Sequence, residues 1–121
     1  MKNLWTTIMV ENMADSLAFY TEILNLDIDR QIKAGPGIEI AFLGLGETKF
    51  ELICNENLKD ITYTEHVTTG FEVESVDDFM SYLKNEGVDI CDGPFEPSPF
   101  IRFFFIKDPN GYKIQLVENK R

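Results

Sequence analysis

The second half of this 121-residue chain repeats the first at a spacing of about 63 residues. Met9-Val10-Glu11 returns as Glu72-Val73-Glu74, and Leu26-Asp27-Ile28 returns as Val88-Asp89-Ile90. Phe50-Glu51-Leu52-Ile53-Cys54-Asn55 returns as Ile114-Gln115-Leu116-Val117-Glu118-Asn119. The three offsets are 63, 62 and 64, so the copies differ by one or two inserted residues. A chain that carries one unit twice is constrained to build one topology twice. Such a duplication is expected to form a cleft between pseudo-symmetric halves, lined from matching positions on each.

Within the first copy, Leu4, Thr6, Ile8 and Val10 alternate with Trp5, Thr7 and Met9. That is the two-residue period of a strand covered on both faces. Asn12 supplies a helix cap, and the spacing of Met13, Leu17, Tyr20 and Leu24, with Ala14 and Ala18 beside them, predicts a helix over 13–24 ended by Asn25. Strands are predicted over 27–32, 39–43 and 49–54, separated by Gly35-Pro36-Gly37 and Gly44-Leu45-Gly46-Glu47.

The second copy predicts a strand over 67–73, then a helix over 76–85 opened by Ser75-Val76-Asp77-Asp78 as a capping box. Phe79, Met80 and Leu83 turn inward, and Gly87 stops the helix. Strands follow over 88–91, 101–106 and 112–117. The proline-bearing segment 93–100 reads as an irregular loop over one mouth of the cleft. Asp108-Pro109-Asn110-Gly111 suits a tight hairpin turn with a structural role, because proline presets a negative φ and glycine accepts a positive one. Each copy is therefore β-α-β-β-β. The fold class is α+β, with two tandem βαβββ modules over about 1–60 and 61–121 in a single domain.

A domain of this length buries roughly 65% of the surface its unfolded chain exposes. Eleven lysines and arginines face 21 aspartates and glutamates, a formal charge of −10. That field repels phosphate backbones and anionic bilayers, so no nucleic-acid or membrane partner is expected, and it concentrates cationic ligands near any cleft. The N-terminal residues enter a strand pattern without the apolar run of about 7–15 residues that a signal peptide needs. No apolar stretch approaches the ~20 residues that span a bilayer, and a cytoplasmic protein is expected. Cys54 and Cys91 occupy unrelated positions in the two copies, which points to two buried thiols and not to a disulfide or metal clip.

Two segments carry a family resemblance. Met9-Val10-Glu11-Asn12-Met13-Ala14-Asp15-Ser16-Leu17-Ala18-Phe19-Tyr20 followed by Leu24 is one, and Phe105-Ile106-Lys107-Asp108-Pro109-Asn110-Gly111-Tyr112-Lys113-Ile114-Gln115-Leu116-Val117-Glu118 is the other. Together, on a duplicated β-α-β-β-β unit, they resemble the vicinal-oxygen-chelate superfamily, which includes glyoxalase I, bleomycin-resistance proteins, fosfomycin-resistance enzymes and extradiol dioxygenases. The resemblance covers nearly the entire chain. It implies that the two modules form an open half-barrel around a cavity, commonly in a homodimer.

The resemblance also implies where a metal would be held. In metal-dependent relatives the first and fourth strands of each unit supply four ligands, and the matching positions here are Trp5, Glu51, Thr68 and Gln115. Only Glu51 is a strong ligand type, so no metal and no cofactor are expected. His66, the one histidine, lies two residues before Thr68, displaced by about 6.6 Å along a strand, and is assigned a strand-end position. Trp5, with Phe103 and Phe105 placed by alternation on the cavity side, is expected to stack on a planar ligand, and Thr7, Glu51, Thr68 and Gln115 complete the candidate binding set. Glu51 also has a catalytic reading, as a general base, or a structural one, bonded to Gln115.

These residues favour a metal-independent small-molecule binding protein resembling the bleomycin-resistance group of antibiotic-resistance proteins, taking an aromatic compound, cationic or neutral. The alternatives are a lactoylglutathione-lyase-like or dioxygenase-like metalloenzyme, and a metal-free lyase or isomerase with Glu51 as its base.

Overall fold

The alternation at the start of the chain is realised as β1 (Trp5–Met9), and the next three strands are β2 (Ile28–Lys33), β3 (Ile38–Leu43) and β4 (Lys49–Asn55). The computed structural model describes residues 1–120, and the chain divides into two compact units, Met1–Thr62 and Tyr63–Arg121. In the first unit the strand order is β1-β4-β3-β2, with β1 parallel to β4 and the other pairs antiparallel. A parallel pair cannot be joined by a tight turn, and the helical segment after β1 carries the chain across one face of the sheet to β2 on the far edge.

That segment is α1 (Met13–Ala18) followed by a π-helical turn (Phe19–Ile23), so the helix predicted over 13–24 is α-helical only in its first half. Thr21 Oγ1 donates to the carbonyl of Leu17 at 2.6 Å, and Leu24 N reaches back five residues to Phe19 O at 3.1 Å. A threonine hydroxyl that occupies an i−4 carbonyl competes with the regular backbone ladder, which widens here by one residue. Asn12 Oδ1 caps the helix by accepting from Asp15 N at 3.0 Å, as the sequence predicts. The inward row is Met13, Ser16, Phe19 and Tyr20, with Leu17 only half-buried and Ala14 and Ala18 exposed.

Tyr20 meets the ring of Phe50 at 5.1 Å, which identifies the sheet face that the helix covers. Ile8, Val10, Ala41, Leu43, Phe50 and Leu52 share that face and are buried. Each large side chain so covered stabilises the fold by about 1.5–3 kcal/mol. By the strand period, Trp5, Thr7, Phe42 and Glu51 point to the opposite face.

The second unit repeats the plan with β5 (Thr69–Glu72), α2 (Val76–Asn85), β6 (Asp92–Ser98), β7 (Ile101–Lys107) and β8 (Lys113–Asn119), in the order β5-β8-β7-β6. Ser75 Oγ accepts from Asp78 N at 3.1 Å, and Gly87 ends the helix at φ 75°, where a side chain would be strained. Val76 and Leu83 are buried, whereas Phe79 and Met80 are half-buried. Phe104, Ile106, Ile114 and Leu116 form the buried face of this sheet.

Two expectations are corrected here. The segment 88–91 is not a strand; instead Asp92–Ser98 pairs with β7 through Asp92, Phe95 and Ser98, with register shifts between them. Pro94 and Pro97 fall between the pairing positions of an edge strand, where a missing N–H removes no ladder bond. The thiols are not both buried: Cys54 is half-buried at the end of β4 and Cys91 is exposed just before the edge strand, and both are free.

Asp108-Pro109-Asn110-Gly111 closes the β7–β8 hairpin. Asp108 is 5% exposed, and its Oδ1 accepts from Asn110 N at 2.9 Å and Tyr112 N at 2.8 Å, while Oδ2 accepts from Asn110 Nδ2 at 2.9 Å. Gly111 adopts φ 88° and donates to Asp108 O at 3.0 Å. The duplication also reaches contacts that the repeat alone does not reveal. Lys49–Asp29 and Lys113–Asp92 are the same ion pair in the two units, each at 3.7 Å. Val10 N→Ile53 O and Val73 N→Val117 O are the same strand-exit hydrogen bond, each at 2.8 Å.

Candidate functional site

On the face of the first sheet opposite the helix, register places Thr7 beside Glu51, Glu51 beside Phe42, and Phe42 beside Arg30, a single row across four strands. Thr7 Oγ1 donates to Glu51 Oε1 at 2.5 Å, and Glu51 is only 7% exposed. The hydrogen bond on Glu51 Oε1 thus comes from Thr7, within its own unit. Trp5, 44% exposed, stands edge-on to Phe42, with ring centroids 5.2 Å apart and an interplanar angle of 65°. The guanidinium of Arg30 lies over the same phenyl ring, 4.9 Å from its centroid.

The row on the second sheet is Gly70, Gln115, Phe105 and Asp92. Gly70 stands opposite Gln115 as Thr7 stands opposite Glu51. A Cβ at Gly70 would sit 3.3 Å from Gln115 Oε1, so the missing side chain leaves the amide room against β5. Phe95, Phe103 and Phe105 form one half-exposed aromatic patch, with centroids 5.5, 5.7 and 6.4 Å apart. Lys113 Nζ rests 4.4 Å from the centroid of Phe105.

The structure therefore brings together Trp5, Thr7 and Glu51 on the first sheet, and Phe103, Phe105 and Gln115 on the second. Thr68 lies one residue before β5, which is shorter than the strand predicted over 67–73, and it is exposed. His66 is exposed in a turn, its N–H bonded to Thr64 Oγ1 at 3.1 Å, and it is on no strand. The sequence reading passed over Phe42 and Phe95. Phe42 was legible by alternation within 39–43, whereas Phe95 was hidden by the prolines that made its segment read as a loop.

The four positions at which the resemblance implies metal ligands hold an indole, a carboxylate, a hydroxyl and an amide. A resident divalent metal wants three or four strong oxygen, nitrogen or sulfur donors, and this set provides one, already engaged by Thr7. Among the described residues, no group of three or more His, Cys, Asp or Glu side chains could hold an ion. The residues present do not fit that metal. No described helix is long and apolar enough to cross a membrane.

Away from these faces, Asp77, Met80, Ser81 and Lys84 of α2 and the segment 87–90 line an open groove of about 490 Å³. Arg102 bonds Asp77 through both guanidinium nitrogens at 3.1 Å, and that hydrogen bonding, with the charge behind it, holds the Asp77 carboxyl below its usual range.

Residues 3–116 match the family model described as the Glyoxalase/Bleomycin resistance protein/Dioxygenase superfamily. A probable lactoylglutathione lyase of Vibrio cholerae is 29% identical, over 98% of this chain and 91% of that protein. Among solved structures, the trypanothione-dependent glyoxalase I of Leishmania major superposes with a TM-score of 0.82 at 27% identity, covering 98% of this chain and 86% of that one. TnmS3, an antibiotic binding protein from Streptomyces sp. CB03234, superposes with a TM-score of 0.74 over 98% of this chain and 96% of its own. At 18% identity the latter shares the fold.

Proposed function

Since the chain belongs to the glyoxalase/bleomycin resistance protein/dioxygenase superfamily, we propose that it is a metal-independent binding protein for an aromatic small molecule, working as a homodimer by sequestration. The observation that carries this reading is Trp5, a half-exposed indole at a position where the resemblance implies a metal ligand, on the same sheet face as a buried carboxylate. An indole offers a metal no lone pair but offers a planar ligand a broad apolar surface. The Phe95–Phe103–Phe105 patch supports the same preference, and the net charge of −10 favours ligands that carry positive charge. TnmS3 shows that this fold serves an antibiotic binding protein.

Catalysis ranks below binding, because without an electrophile to stabilise a developing oxyanion the largest usual contribution to rate is missing. Trp5 is the only tryptophan, so its emission reports on its own surroundings. Titration with a panel of planar aromatic cations should change that emission and raise the melting temperature, with ~2.7 kcal/mol of added stability at 100 times the dissociation constant. A flat response in both across a broad panel refutes the reading.

The relatives named lactoylglutathione lyase, 27–29% identical over 98–99% of the chain, favour a second reading as a glyoxalase-type enzyme. Formation or breakdown of lactoylglutathione by protein carrying near-stoichiometric nickel, zinc, iron or manganese would replace the first reading with the second. Turnover without metal that Glu51→Gln abolishes would make Glu51 a general base.

A further inference from the structure

Glu51 is the best-buried carboxylate of the first sheet, on the face opposite the helix, yet no Lys, Arg or His nitrogen among the described residues lies within 4.0 Å of it. The nearby cations are committed elsewhere. Lys49, two residues along β4, donates to Gly44 O at 2.7 Å and pairs with Asp29, and Arg30 lies over Phe42. Oε1 is taken by Thr7. No described residue donates to Oε2, and among the described residues no fully buried polar side-chain atom lacks a partner, so Oε2 keeps an opening to solvent. A buried carboxylate held in place on one side, open at one oxygen, and lacking a countercharge is an acceptor prepared for a cation.

We propose that Glu51 Oε2 accepts a hydrogen bond from one N–H-bearing cationic nitrogen of the ligand while Trp5 takes its ring. The ligand class is then an aromatic primary, secondary or tertiary amine, and not a neutral aromatic or a quaternary ammonium. This rests on the ligand-binding reading above. The distinction follows from reach: an ammonium N–H approaches a carboxylate to about 2.7–2.9 Å, whereas the methyl groups of a quaternary nitrogen hold the charge farther away and leave the oxygen without a donor. The arrangement belongs to this unit alone, because the matching positions in the other hold Gln115 and Gly70, a neutral amide with no hydroxyl beside it.

Three probes that share one ring and one linker test it: 9-(aminomethyl)anthracene, its trimethylammonium analogue and 9-(hydroxymethyl)anthracene. Binding is read by quenching of Trp5 emission and by calorimetry. The primary ammonium is expected to bind about 10- to 100-fold more tightly than the alcohol, with the quaternary analogue close to the alcohol. Glu51→Gln should remove the advantage of the ammonium over the alcohol. Equal affinity for all three probes in the wild type overturns the proposal and leaves the ligand-binding reading standing. No binding by any of them sinks both. An ammonium preference that survives Glu51→Gln also overturns it. The three-probe comparison needs only wild-type protein, so the proposal stays testable should the variant fold poorly.

Discussion

Replacing Asp108 with alanine removes three hydrogen bonds at once from the β7–β8 hairpin. Tyr112 is 4% exposed, so its backbone N–H, which donates to Asp108 Oδ1 at 2.8 Å, would be orphaned away from water at a cost of about 1–3 kcal/mol. The two bonds from Asn110 are half-buried and reach water more readily, and each contributes about 0.5–1.5 kcal/mol. Together Asp108→Ala should destabilise the chain by about 2–6 kcal/mol. At about 4 °C per kcal/mol for a domain of this size, the melting temperature should fall by roughly 8–24 °C. Asp108→Asn keeps an oxygen facing both backbone N–H groups and loses only the Asn110 side-chain bond, so it should cost about 1 kcal/mol. Thermal and urea unfolding followed by circular dichroism would measure both, and amide hydrogen exchange at Gly111 and Tyr112 would locate the loss. An alanine variant that melts within 2 °C of the wild type refutes the reasoning, because the turn would then not be held by this carboxylate. Ligand binding lost without a change in stability would make the turn a functional element.

Trp5→Ala should cost only about 1 kcal/mol of stability, since the ring is 44% exposed and makes one edge-on aromatic contact, but it should weaken aromatic ligands at least about tenfold. Isothermal titration with a planar aromatic, using the probes above, measures it. Asp77 titrates below its ordinary value because Arg102 bonds and attracts its charged form, so the pair adds stability above about pH 3.8 and loses it as the pH falls through the lower folded-state value. The difference in melting temperature between wild type and Asp77→Asn should therefore close on acidification; it should also shrink in high salt, because the pair is exposed. Light scattering should give a particle of twice the 13.9 kDa chain mass, and a monomer at micromolar concentration would remove the homodimer from the proposed function.

What was legible in the sequence was local. The Asn12 and Ser75 caps, the Gly87 stop, the Asp108–Gly111 turn and the alternation of β1 involve residues within four positions of each other, so neighbouring residue types decide them. The repeat at about 63 residues likewise announced two copies of one unit before any strand was placed. Other features depended on which strands pair and in what register. Thr7 and Glu51 are 44 residues apart and become partners only because β1 lies parallel to β4. Phe42 comes under Trp5 only once β3 has been registered against β4. Pro94 and Pro97 argued locally against a strand, yet an edge position with skipped pairings tolerates them. The residue types at the four implied ligand positions, only one of them a strong metal ligand, were determined by the sequence. That Glu51 is buried, fixed by a threonine and left without a countercharge was decided by the tertiary structure, because burial and pairing are properties of what surrounds a side chain and not of the side chain itself.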